Sequence, residues 1–182
     1  PNSREEMVTI IVAYNQNLVI GNKINQVPWT ISEDLKFFKD ITMGHACIMG
    51  KNTWESIPKK FRPLSGRYNI IITRSHNSFD FPRDVDIEAS KLPLGICACV
   101  DVERAISHGK QYSPGGEVFI TGGAQVYNYC LEHNLVDRVL ASEIKGHLDI
   151  EAGVHFPDLK KLGWSGTFVK DFDQFTVIEY TK

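Results

Sequence analysis

The sequence predicts an α/β fold: one domain with a mainly parallel central sheet of about eight strands, helices on its flanks and an antiparallel C-terminal edge hairpin. Three observations carry that expectation. Short apolar runs rich in β-branched residues alternate with segments of helical periodicity. The runs are nearly continuous in apolar character, as strands buried on both faces require. The rhythm then breaks near the end, where two strand-like runs are separated by only a few polar residues.

In chain order, VTIIVAY (Val8 to Tyr14) reads as the first buried strand, and residues 15–27 as a loop rich in Asn and Gly. A helix is expected from Ser32 to Thr42, with Thr30 and Ser32 as candidate N-caps and Thr30 with Glu33 at capping-box spacing. ACIMG is the next strand, a short helix spans Asn52 to Ile57, and residues 58–66 form a loop. YNIIIT follows as a strand, then a loop from Ser75 to Pro82 and a weakly patterned stretch from Pro82 to Cys97. A helix from Asp101 to Tyr112, a loop at 113–116, the strand EVFIT and a helix from Ala124 to His133 complete the alternation. WSGTFVK and FTVIEYT form the closing hairpin.

The 182 residues suit one domain, expected over residues 7–182, while the polar PNSREE at 1–6 reads as an N-terminal extension or a cloning remnant. Twenty basic and 22 acidic residues leave a net charge of -2, which gives no overall basic field for nucleic acid or anionic lipid. No run approaches the ~18 apolar residues of a membrane span. Cys47, Cys97, Cys99 and Cys130 form neither a CxxC pair nor a dense framework, so reduced thiols, a cytoplasmic location and no metal site are expected. Nothing in the sequence calls for more than a monomer.

The helix beginning near Ser32 places Asp34, Phe38 and Thr42 at i, i+4 and i+8, with Leu35 beside them. A carboxylate therefore shares a face with an aromatic ring. Two readings stand. Asp34 can answer the positive end of the helix dipole, an effect worth ~0.3–1 kcal/mol. It can also be a partly buried anion that needs donors, and with no Arg or Lys on that face a ligand with two adjacent N–H groups would satisfy both oxygens.

FITGGAQVY runs from strand through Gly122 and Gly123 into a helix, a junction where backbone N–H groups can approach a phosphate, though a bare Gly-Gly also suits a tight turn. It is not GxGxxG. IMGKNTWESIP repeats the theme with Gly50, Lys51, Asn52 and Thr53, and a third strand ends in Thr73, Arg74 and Ser75. In open α/β sheets ligands bind beyond such carboxyl ends. Lys51 and Arg74 could serve an extra phosphate, pointing to NADPH rather than NADH; either alone also reads as solvated surface charge.

Across nearly its whole length the chain resembles the dihydrofolate reductase family. The resemblance rests on VIG (Val19 to Gly21), VPW, Asp34, Phe38 and Thr42 at fixed intervals, then IMGKNTWESIP, RPLSGR, ITGGAQVY and HFP in the family's order. It implies NADPH-dependent reduction of 7,8-dihydrofolate to 5,6,7,8-tetrahydrofolate, with hydride delivered to pterin C6 and a proton to N5, and antifolates as expected ligands. Asp34 matches the acidic residue that binds pterin N3 and the 2-amino group, and Trp29 would help hold an ordered water beside it. The proton would reach N5 through water, since that edge of the ring is distant from the carboxylate. Backbone around Ile11, Val12 and Ala13 would border pterin and nicotinamide, with Ile20 and Gly21 under a mobile loop. Val27, Leu35, Phe38, Ile57 and Leu64 would line the substrate pocket, and Arg67 would pair with the α-carboxylate of the glutamyl tail. Gly50, Lys51, Asn52, Thr53, Thr73, Arg74, Ser75, Ala124, Gln125, Val126 and Tyr127 match cofactor positions, and Gly122-Gly123 matches the family's cis peptide.

Several positions depart from the common pattern. The loop between Gly21 and Val27 is one residue longer than in the usual bacterial form, and Val27 stands where many bacterial members have Met. Thr121 replaces an aliphatic residue, bringing a hydroxyl to the substrate pocket. Ser142 stands where a Thr usually braces the acid, and Gly153-Val154 where Asp-Thr is frequent, so a loop-holding bond from that Asp is expected to be missing. IPKKFRPLSGR resembles the longer eukaryotic segment, whereas an Asp at position 34 resembles bacterial members. The alternatives are a related pterin or pyrimidine reductase, which would have no use for Arg67 and Phe38, and a non-catalytic nucleotide-binding module.

Overall fold

The structure is a computed structural model and describes residues 7–21, 31–73 and 96–182. Its elements are β1 (Val8–Tyr14), β2 (Val19–Gly21), α1 (Ser32–Thr42), β3 (Ala46–Gly50), α2 (Lys51–Ser56), β4 (Tyr68–Ile72), β5 (Ile96–Cys99), α3 (Val102–Tyr112), β6 (Val118–Gly122), α4 (Ala124–Glu132), β7 (Arg138–Ile144), β8 (Val154–His155), β9 (Ser165–Asp171) and β10 (Phe175–Thr181).

Eight strands form one sheet in the order β5-β4-β3-β6-β1-β7-β10-β9. The first six run parallel, and β10 pairs antiparallel with both β7 and β9. The expected α/β class, parallel centre and antiparallel edge are therefore present. β1 lies centrally because its side chains serve both faces: Val8, Ile10, Val12 and Tyr14 join one apolar cluster, and Ile11 joins the other. Ile10, Ile48, Ile70 and Ile120 are fully buried. Each such side chain contributes about 1.5–3 kcal/mol through burial.

Four strands lay outside the predicted segments. β5 is a short stretch within and just past the weakly patterned region, and β2 pairs with β8 as a separate two-stranded sheet. β7 begins with Arg138 and carries Ser142 and Glu143, so its polar residues mask a strand that is buried along most of its length. The α1 cap also differs from expectation. Ile31 holds the N-cap position with no side-chain bond, its carbonyl accepting the Asp34 and Leu35 amides at 3.1 Å each, and Ser32 lies inside the first turn. Thr30 lies outside the described residues. At α3 the cap is Asp101, whose carboxylate accepts the Arg104 N–H at 2.7 Å.

Candidate functional site

α1 lies across the sheet face formed by Ile11, Met49, Ile71, Phe119 and Leu140, against which Phe37, Phe38 and Ile41 pack. That docking turns the Asp34, Phe38 and Thr42 face toward the protein, as the spacing predicted. Asp34 is partly buried, and burial pushes its carboxyl above the ordinary range while a hydrogen bond from the Ser142 hydroxyl pulls it part of the way back. Ser142 is itself buried, on β7 opposite Ala13 of β1. No ion pair among the described residues involves Asp34.

Tyr127 closes the back of this space. Its hydroxyl donates to the Ile11 carbonyl at 2.9 Å, and burial, reinforced by the nearby Asp34 charge, raises its pKa. The phenol stays neutral at physiological pH. Val12 turns its side chain into the opposite cluster, so only its backbone can border the cleft.

Phe38, Ile57 and Leu64 come together with Ile11 in one partly buried apolar wall. Leu35 is not part of it and stands 61% exposed. Beyond the wall lies Arg67, buried at 5% exposure, with Nε donating to the Ser65 carbonyl at 2.9 Å, Nη1 to Thr42 Oγ1 at 3.2 Å, and Cζ 5.9 Å from the Phe38 ring centre. No described carboxylate pairs with it. Sequence reasoning missed what folds this turn: Asn69, 1% exposed, accepts the Leu64 N–H at 2.8 Å and donates to the carbonyls of Leu64 at 3.0 Å and Arg67 at 2.9 Å. An Asn inside the apolar run YNIII was the available signal.

The second half of the site lies where β4, β3 and β6 end side by side. Gly50 pairs in register with Ile72, and Met49 with Gly122. The Gly122-Gly123 peptide is cis, and a β-carbon on either glycine would come within 3.1 Å of Thr53 Oγ1. At Gly50 an added β-carbon would meet Val126 at 3.3 Å. The three glycines thus keep open a cradle that side chains would fill, with Thr53 beside it and Ala124 and Gln125 starting α4. Thr73 is buried beyond β4, its amide bonded to the Cys99 carbonyl at 2.9 Å. Lys51 lies 3.7 Å from Glu55 of its own helix. Ile20 packs partly against the core and Gly21 is buried at the end of β2. Val27, Trp29, Arg74 and Ser75 lie outside the described residues.

The Thr121 hydroxyl donates to the Ile48 carbonyl at 3.2 Å, which ties its proton to the neighbouring strand. Among the described residues no His, Cys, Asp and Glu group could hold a metal ion, and no helix is long and apolar enough to cross a membrane.

A lone acid on an oily face, an arginine beyond an aromatic wall and a glycine cradle at three strand ends can come from many ancestries; comparison with known proteins decides between them. A family model described as dihydrofolate reductase matches residues 7–181. The chain belongs to the dihydrofolate reductase family. It is 36% identical over 150 residues to the dihydrofolate reductase of Candida albicans, covering 79% of this chain and 70% of that protein. It is 34% identical over 157 residues to that of Neisseria gonorrhoeae, covering 86% and 83%. It is also 37% identical over 163 residues to a bifunctional dihydrofolate reductase-thymidylate synthase of Daucus carota, covering 82% of this chain. The match spans only 28% of that longer protein. The dihydrofolate reductase fold of this family is thus the frame in which Asp34, Arg67 and the glycine cradle are placed.

Proposed function

We propose that this chain catalyses the NADPH-dependent reduction of 7,8-dihydrofolate to 5,6,7,8-tetrahydrofolate, with Asp34 holding the pterin in the cleft between α1 and the ends of β1 and β7. Membership of the family makes the chain an NADPH-dependent oxidoreductase that binds dihydrofolate and antifolates. The observation that carries the residue assignment is Asp34: a partly buried acid, braced by Ser142, with no protein cation opposite it among the described residues.

A buried anion without donors is costly, and two adjacent N–H groups of a pterin edge satisfy both oxygens at once. The raised affinity of Asp34 for a proton favours a complex in which acid and pterin share one, so the ring is electrophilic when reduction occurs. Asp34 orients and polarises; the N5 proton arrives through water, because the bound edge is remote from that atom. Phe38, Ile57 and Leu64 exclude water from the aryl part of the substrate, and Arg67 offers its guanidinium to the terminal α-carboxylate. That buried guanidinium supports a tail-bearing folate over a tail-free heterocycle.

The glycine cradle fits a dinucleotide phosphate, since backbone can approach closely where no β-carbon intervenes. Gly50, Thr53, Thr73, Gly122, Gly123 and Gln125 would hold NADPH, whose chemistry there is donation of hydride to pterin C6. The reading extends to residues 7–182 as one catalytic domain acting as a cytoplasmic monomer, and the net charge of -2 supports the lack of nucleic-acid partners.

The test is loss of reduced-nicotinamide absorbance on mixing purified protein with NADPH and dihydrofolate, with NADH in a parallel cell. Turnover with a preference for NADPH is expected. No turnover by protein that binds both ligands stoichiometrically would refute the assignment.

A further inference from the structure

Thr42 ends α1 with its side chain fully buried, and its hydroxyl is committed twice. It donates to the Phe38 carbonyl at 2.7 Å and accepts from Arg67 Nη1 at 3.2 Å. A hydroxyl has one proton; because Phe38 receives it, the lone pairs are left facing the guanidinium. Arg67 is fixed a second time through Nε on the Ser65 carbonyl at 2.9 Å. Two of its three nitrogens are therefore held inward, and Nη2 has no acceptor among the described residues.

Cys47 lies beside the pair on β3. Burial pushes its thiol up to about 12, despite the opposing influence of Arg67 and Thr42, so it stays neutral at physiological pH and offers the arginine no counter-charge. The Phe38 ring stands 5.9 Å from the guanidinium carbon. One hydroxyl thus ties together the carbonyl of the residue that walls the aryl pocket and the cation beyond it.

We propose that Thr42 is a positioning residue for the substrate's tail, holding Phe38 and the outward edge of Arg67 in one register so that an aryl ring and the carboxylate attached to it are bound as a unit. The proposal rests on the reading of this site as a dihydrofolate pocket, and adds a residue that would not itself touch the substrate. It separates from a merely structural role through chemistry. Replacing the hydroxyl by a methyl leaves Nη1 buried without its acceptor, and the guanidinium must turn to satisfy it. Damage to the helix end would instead affect every substrate alike.

The experiment measures kcat and KM for dihydrofolate and for a dihydropterin carrying only a methyl group in place of the tail, in the unaltered enzyme, Thr42→Val and Thr42→Ser. Thr42→Val is expected to lower the ratio of the two kcat/KM values by about tenfold or more. That loss falls in KM for dihydrofolate, and Thr42→Ser restores the ratio to within about twofold, since it keeps the hydroxyl. Thr42→Ala is judged by the same ratio if Thr42→Val does not fold. A ratio unmoved by the loss of the hydroxyl, or a serine variant as impaired as valine, overturns the role of Thr42. An unaltered enzyme that turns over neither substrate overturns the dihydrofolate reading itself, and the proposal with it.

Discussion

Ser142, in the buried middle of β7, stands against the Asp34 carboxylate in the first turn of α1 and draws its pKa down. Among the described residues Ser142 favours the charged form of Asp34, and burial opposes it. Replacing Ser142 with Ala removes the stabiliser and keeps the burial, so the Asp34 titration moves to higher pH, while Ser142→Thr leaves it near its original position. Carbon-13 carboxyl NMR of the ligand-free enzyme checks this. An Asp34 signal that titrates identically in the alanine variant contradicts the bond's role.

Asp34 also links function to stability. Its folded pKa is raised above the unfolded value of about 3.9. A raised acid contributes stability that is fully present below the unfolded pKa and is lost as pH rises through the folded pKa. The ligand-free enzyme at neutral pH therefore carries a cost at this position, and Asp34→Asn relieves it. Melting at pH 7 should rise by about 2–4 °C, the shift given by ~1 kcal/mol in a chain of this size, and the gap should close as pH falls toward 4. A variant that melts lower at pH 7 counts against the burial argument.

At the opposite end of β7, Arg138 is buried among three partners. Nε donates to Thr9 Oγ1 at 2.8 Å, Nη1 to Glu179 at 2.9 Å and Nη2 to Glu117 at 2.5 Å, which ties β1, β7 and β10 to the residue leading into β6. Arg138→Met leaves two carboxylates without their cation and should cost about 3–5 kcal/mol in urea unfolding, a large part of a total of 5–15. Kinetic constants measured below the new melting transition should not change, because the staple is remote from Ser142.

How much of this the sequence revealed depends on range. Asp34, Phe38 and Thr42 share a face by helical spacing alone, and the apolar strands announced themselves. The Thr42 to Arg67 and Tyr127 to Ile11 bonds join residues 25 and 116 positions apart, so no local pattern encodes them. β7 escaped because Arg138, Ser142 and Glu143 interrupt its apolar character, each for a contact made across the fold. The Ile31 cap shows packing overriding propensity: Ile31 is 5% exposed and belongs to the cluster around Phe175 and Val177, so the chain enters α1 through a core contact.

Gly153 tests the other edge of the site. It holds φ at +137°, and a β-carbon there would overlap the Gly21 carbonyl, so β2 and β8 pair only because the side chain is missing. Gly153→Ala should cost about 1–3 kcal/mol and speed hydrogen exchange at the Phe156 amide, which donates to the Leu18 carbonyl at 2.8 Å. Unchanged exchange there contradicts the fit.

If Asp34 is an anion waiting for the donor edge of a pterin, the pH dependence of turnover in Asp34→Asn will show it. With NADPH and dihydrofolate at pH 7, the variant should lose about 100-fold or more in kcat/KM, and recover part of that loss on acidification, where the substrate arrives already protonated. Turnover at pH 7 equal to that of the unaltered enzyme would mean that Asp34 does not hold the pterin.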